Sequence, residues 1–311
     1  MASEVIDPTY LPFSAEELLP RLAPTGDPKR DSKAQRALQY YIHSAERYQA
    51  FCLACPDREG LRLSALRKPC QIEKDERFWM ATCLLHYHHA DAPMHSWTKL
   101  LERCFGNVPP LPGLASWEDC LAGQLHLLLE CGLPSPPSYK RWLADHLDRQ
   151  QMIPYVLDAA KKRDSSGIRP GLEGATVVDA LLLNEETGFA VLFEAKVLSD
   201  ISCQVTYDAM RNQIARSIDV MLEENAGRPH PLNRRRPERT LFVLVTPQVF
   251  RDRPESRLYG WLMQEYRSRA SALARDLPHR RGVDWEGAAR RLGWLTWEMC
   301  DDVLPGACHW L

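Results

Sequence analysis

Two apolar runs separated by five polar residues constrain this chain more than any other feature. Residues 176–183 read TVVDALLL and residues 189–198 read FAVLFEAKVL, with Asn184, Glu185, Glu186, Thr187 and Gly188 between them. The side chains favour strands, and a short connection containing Gly is a hairpin signal. Nearly every position is apolar, so both faces of the hairpin must be covered, as in the middle of a layered sheet. The following sequence offers the covering elements. Residues 202–224 read as a long helix, 240–246 (TLFVLVT) as a buried strand, 255–275 as a helix, 285–292 as a short helix and 294–297 as an aromatic strand. That order belongs to an α/β domain.

The preceding sequence has a different period. Residues 1–137 are expected to form an all-helical N-terminal domain and residues 138–311 the α/β domain. Ser14 and Glu17 make a capping-box pattern. Ala34, Leu38, Tyr41, Ile42, Ala45, Tyr48 and Cys52 form a helix-period stripe. Further helices are expected over 75–88, 94–105, 116–131 and 138–148, with Pro- and Gly-rich breaks at 108–113 and 134–137 and a turn-rich loop at 165–174.

With 311 residues, 45% hydrophobic and 26% charged, the chain has the make-up of a soluble globular protein. No apolar run approaches the roughly 18 residues of a membrane span. The first residues carry Glu4 and Asp7 and lack a secretory profile, so a cytoplasmic location with reduced cysteines is expected. Cys83, Cys104, Cys131 and Cys203 sit in apolar stretches and read as small hydrophobes. Net charge is only −2, but between Arg211 and Arg291 there are 17 arginines against 10 acidic residues. That local excess favours an anionic partner such as nucleic acid.

Within the two strand runs stand three charged residues: Asp179, Glu194 and Lys196. If Asn184 pairs with Phe189, paired residue numbers sum to 373, which sets Asp179 opposite Glu194. Lys196 then projects from the same face as Glu194. Two carboxylates with Cβ atoms about 5 Å apart repel each other, more strongly when buried. Either Lys196 neutralises one and the other is protonated, or a divalent cation sits between them. All-oxygen ligands suit Mg²⁺ or Mn²⁺ rather than Zn²⁺.

Asp179 followed by Glu194-Ala195-Lys196 on the next strand resembles the PD-(D/E)XK nuclease superfamily, over about residues 138–250. The hairpin, the helix after it and the buried strand after that helix strengthen the likeness, while Val178 stands where the motif has Pro. The resemblance implies a restriction-endonuclease-like mixed sheet flanked by helices. It implies that Asp179, Glu194 and the Ala195 carbonyl bind Mg²⁺ (or Mn²⁺) and that Lys196 positions or activates water. Gln213 falls on the following helix, where several members carry a site glutamine. An acidic residue on a preceding helix is also implied, with Glu130, Asp145 and Asp148 as candidates. Glu173 is a further candidate metal ligand or a solvated loop charge. The implied activity is endo- or exonucleolytic hydrolysis of nucleic acid, DNA in preference to RNA, in a setting such as bacterial restriction, repair or anti-phage defence. The alternative is an inactive scaffold or nucleic-acid-binding protein of the same fold, and the helical region is a candidate site for a partner protein or oligomer contact.

Arg216 lies one turn beyond Gln213 and is a candidate phosphate contact. So are Arg234, Arg235 and Arg236, flanked by Arg228 and Arg239, although they also read as a solvated loop. Cys52 and Cys55 have zinc spacing, but Cys70 and Cys83 do not complete a second tight pair, and His86, His88 and His89 add only proximity. Trp294 and Trp297 are expected in the core.

Overall fold

A computed structural model describes residues 6–22, 28–54, 71–146, 149, 173–202, 208, 210–225 and 227–311. Asp148, Cys55, Cys70 and Cys203 lie outside the described residues, as do most of the 165–174 loop and residues 203–207. The hairpin has the expected register. β2 (Thr176–Asn184) and β3 (Ala190–Ala195) pair antiparallel, Leu183 with Ala190 through Ala180 with Phe193. The Asn184 amide donates to the Phe189 carbonyl at 2.8 Å, closing the turn. Gly188 takes φ +72°, a left-handed conformation that glycine adopts without a Cβ penalty.

Around the hairpin the sheet runs β1-β2-β3-β4-β5. β1 (Leu125–Leu133) joins β2 antiparallel, whereas β4 (Thr240–Thr246) and β5 (Leu292–Thr296) add parallel strands beyond β3. Among the described residues the helices, in chain order, are α1 (Ala15–Leu22), α2 (Pro28–Ala54), α3 (Glu76–His88), α4 (Pro93–Phe105), α5 (Trp117–Leu121), α6 (Pro137–Asp145), α7 (Gln213–Met221), α8 (Gln248–Asp252), α9 (Leu258–Ser268), α10 (Ala270–Asp276), α11 (Trp285–Arg290) and α12 (Trp297–Val303). No helix among the described residues is long and apolar enough to cross a membrane.

Strand alternation sorts the sheet's side chains into two cores. Leu129, Leu182, Val191, Phe193 and Val243 pack with residues of α1–α5 and α12. Leu128, Leu181, Leu183, Leu192 and Leu244 pack with α7 and α9–α11. Burying side chains of this size stabilises by about 1.5–3 kcal/mol each, so the two layers supply most of the driving force.

Three expectations need correction. Residues 116–131 are not one helix: α5 stops at Leu121 and the chain re-emerges as β1. The run Leu127-Leu128-Leu129 suits a helix or a doubly buried strand equally by periodicity. Gly123, at φ +106°, breaks the helix, and the open edge of the hairpin supplies a strand partner. Among the described residues of the helix expected over 202–224, Gln213–Met221 form α7, and the Asn212 side chain caps its start by accepting from the Ala215 amide at 2.8 Å. Finally, the boundary near residue 137 does not divide the core. β1 comes from the first part of the chain, and one core joins Phe13 and Leu38 to Val191 and Cys308.

Candidate active site

Three carboxylates stand level on three neighbouring strands. Leu129 pairs with Ala180 and Cys131 with Val178, which brackets Glu130 opposite Asp179. The β2–β3 register, continued one step from Ala180 and Phe193, sets Asp179 opposite Glu194. Glu130 takes φ +47°, and beyond it Cys131 and Leu133 fall in the same core as Leu128, so the alternation steps by one residue there.

Each charged group is held by neighbours from several elements. Asp179 Oδ2 accepts the Ala195 amide at 2.7 Å. Glu194 and Lys196 are only 2% and 4% exposed. Lys196 Nζ lies 3.1 Å from Glu194 Oε1 and 3.3 Å from Glu76 Oε2. Glu76 is the first residue of α3, and its Oε1 accepts the Val197 amide at 3.4 Å and the Ser199 hydroxyl. From the other layer, Gln213 at the start of α7 donates its Nε2 to Glu194 Oε1. Glu130 accepts from the Tyr41 hydroxyl at 3.0 Å and lies 4.0 Å from Arg77.

The electrostatics follow from this crowding. Burial pushes the Asp179 acid up to about 6, against the pull of Lys196 and the Ala195 amide, with Glu76 and Glu130 adding repulsion. Burial and the charge of Asp179 push Glu194 up to about 8, although Lys196 opposes the shift. Burial alone would weaken the Lys196 cation, but Glu194, Glu76 and Asp179 together hold its pKa above the ordinary lysine value. One carboxylate oxygen, Glu194 Oε2, is buried with no hydrogen-bond partner. A buried carboxyl oxygen without a partner, beside a second carboxylate, fits a hard divalent cation, whose charge would favour the ionised form of Glu194.

No family model, no curated protein and no solved structure matches the chain.

Asp179, Glu194, Ala195, Lys196 and Gln213 are brought together as the sequence suggested, but the other candidates separate. Glu173 is buried against Arg216, with 2.8 Å between Oε1 and Nε, so it faces a cation rather than the Asp179–Glu194 pair. Arg216 is committed to Glu173 and to the Ala175 carbonyl at 3.2 Å, which takes it away from a phosphate role. Arg235 is buried and donates to the carbonyls of Met221 (2.7 Å), Val220 (3.0 Å) and Glu223 and to Thr240 Oγ1 at 3.0 Å. It is a structural residue, not a phosphate contact. Arg234 and Arg236 are exposed. The Arg236 amide bonds to the Gly188 carbonyl at 3.0 Å, so this segment lies at the turn end of the hairpin. Five strand residues, about 17 Å, separate that end from Glu194. Arg239 also binds there, to the Thr187 carbonyl at 2.7 Å.

Glu130 is in place but on a strand, and Asp145 ends α6. The helix before the sheet that brings a carboxylate to the site is α3, through Glu76. Sequence reasoning missed Glu76 because an acidic residue behind Asp75, which caps Arg77, reads simply as a good helix start. A cavity of about 210 Å³ opens along β1 beside Glu130, lined in part by Arg21, Lys33 and Arg228. No zinc set assembles from the described cysteines: Cys52 neighbours Tyr10 and Tyr48, whereas Cys83 neighbours Cys300 and Cys308. Trp294 and Trp297 are in the core.

Proposed function

We propose that the chain is a metal-dependent nuclease of the PD-(D/E)XK type, with a restriction-endonuclease-like sheet, hydrolysing phosphodiester bonds of nucleic acid, DNA in preference to RNA. The observation that carries the reading is Glu194 Oε2, buried and without a partner, level with Asp179 and beside Lys196. The hairpin, the helix α7 and the buried strand β4 follow in the order the motif calls for.

In this reading Asp179, Glu194 and the Ala195 carbonyl hold Mg²⁺ or Mn²⁺, with Glu130 and Glu76 adding negative charge around them. A bound cation of this kind lowers the pKa of a water and stabilises charge on phosphoryl oxygens. Gln213 fixes the orientation of the Glu194 carboxylate. Lys196, anchored between Glu194 and Glu76, presents an ammonium to the attacking water or to a phosphoryl oxygen. A scaffold is the competing reading, favoured by the fact that Lys196 already pairs with two carboxylates.

The deciding experiment is cleavage of plasmid, linear and single-stranded DNA and of RNA with Mg²⁺, Mn²⁺ or EDTA. Metal-dependent cleavage should fall about a hundredfold or more in both Glu194→Ala and Lys196→Ala. Wild-type protein that neither cleaves nor binds Mn²⁺ would be a scaffold.

A further inference from the structure

We propose that His126, Glu185 and His230 form a second metal site, with a donor set that suits zinc rather than Mg²⁺, at the turn end of the hairpin. The three residues come from three elements: β1, the β2–β3 turn and the loop before β4. His126 Nε2 lies 2.9 Å and His230 Nε2 2.6 Å from the same Glu185 oxygen. The three ligand atoms lie within 4.8 Å of one another. The imidazoles meet edge-on, 89° apart with centroids at 5.8 Å, so their nitrogens converge instead of stacking. Tetrahedral zinc bound at about 2.0–2.1 Å sets ligand atoms roughly 3.3 Å apart, a spacing these side chains reach by small rotations. The turn is already fastened to β1, through the Glu185 amide on the Gln124 carbonyl and the Glu186 carboxylate on the Gln124 amide, both at 3.3 Å.

The donor chemistry sets this site apart from the carboxylates at the other end of the hairpin. Two imidazoles and one carboxylate select zinc over Mg²⁺, and with three protein ligands a solvent molecule takes the fourth position. His230 has a 59% exposed side chain, which gives the ion a route in, while His126 and Glu185 are mostly covered. Zinc here would clasp the edge strand to the turn and to the β4 approach, about 17 Å from Glu194 and independent of it.

The test is titration of the full chain with Zn²⁺ by calorimetry in chelator-free buffer near neutral pH, with Co²⁺ as a visible probe of tetrahedral coordination. One zinc per chain is expected. His126→Ala, Glu185→Gln and His230→Ala should each weaken it by at least about tenfold, whereas Asp179→Asn leaves it unchanged. The exposed His230 is the variant least able to disturb the fold. Absence of Zn²⁺ binding, or binding that survives His230→Ala and His126→Ala, would overturn the proposal and leave a hydrogen-bonded cluster only.

Discussion

Glu194 and Asp219 are both buried carboxylates, and their neighbours give them opposite consequences for stability. The folded chain weakens the Glu194 acid from its usual 4.5 to about 8. A group protonated more readily in the folded state contributes stability at low pH that is lost as pH rises through 4.5 to 8. Glu194→Gln should therefore match wild type in urea midpoint at pH 5 in EDTA and exceed it at pH 8. Parallel pH profiles for the two proteins would contradict this. Asp219 runs the other way. Burial alone would raise it, but His279, Arg211 and Arg280 around the carboxylate bring it down to about 2. Its stabilisation is present above the usual 3.8 and fades as pH falls through 2, and Asp219→Asn should flatten acid unfolding in that window, read by circular dichroism. The Asp179–Glu194–Lys196 set was legible because antiparallel pairing is arithmetic once the turn is placed. Glu76 was not, since its contact with Lys196 spans 120 residues and no local pattern announces it.

Among the elements, the loop between α7 and β4 holds the sharpest contrast. Arg234 is exposed, whereas Arg235 inserts among backbone carbonyls at the end of α7, and burial lowers its pKa to about 10. Arg235→Ala should cost about 3 kcal/mol or more in chemical denaturation, because several buried acceptors lose their donor together, while Arg234→Ala should be nearly neutral. Three consecutive arginines look alike in sequence; only the packing of α7 on the sheet picks out the middle one. The same limit explains β1. Local pattern cannot tell a buried strand from a buried helix in Leu127–Leu129, and the pairing that decides it lies some fifty residues downstream. Where a continuous apolar run was short and rich in strand-favouring side chains, as in β2, β3 and β4, strand positions came out close to those observed.

For the whole molecule, the shared core predicts that residues 138–311 alone will not fold. That fragment lacks β1 and α1–α5, which with α12 cover one face of the sheet, exposing Leu182, Val191 and Phe193. It should show no cooperative thermal transition and rapid trypsin digestion, unlike the full chain; a cooperative melt would restore the boundary near residue 137. The change of period along the sequence was real, but it reflected which layer each segment covers rather than where one core ends. Phe78 makes the point in miniature, with its ring packed on Phe13 at 6.4 Å and on Trp310 at 6.3 Å. A chain growing from the ribosome at about 5–20 residues per second exposes Phe13 and Phe78 long before Trp310 exists. This face of the protein stays incomplete on the growing chain until the segment carrying Trp310 emerges, and until then the helical layer is an open, chaperone-accessible surface.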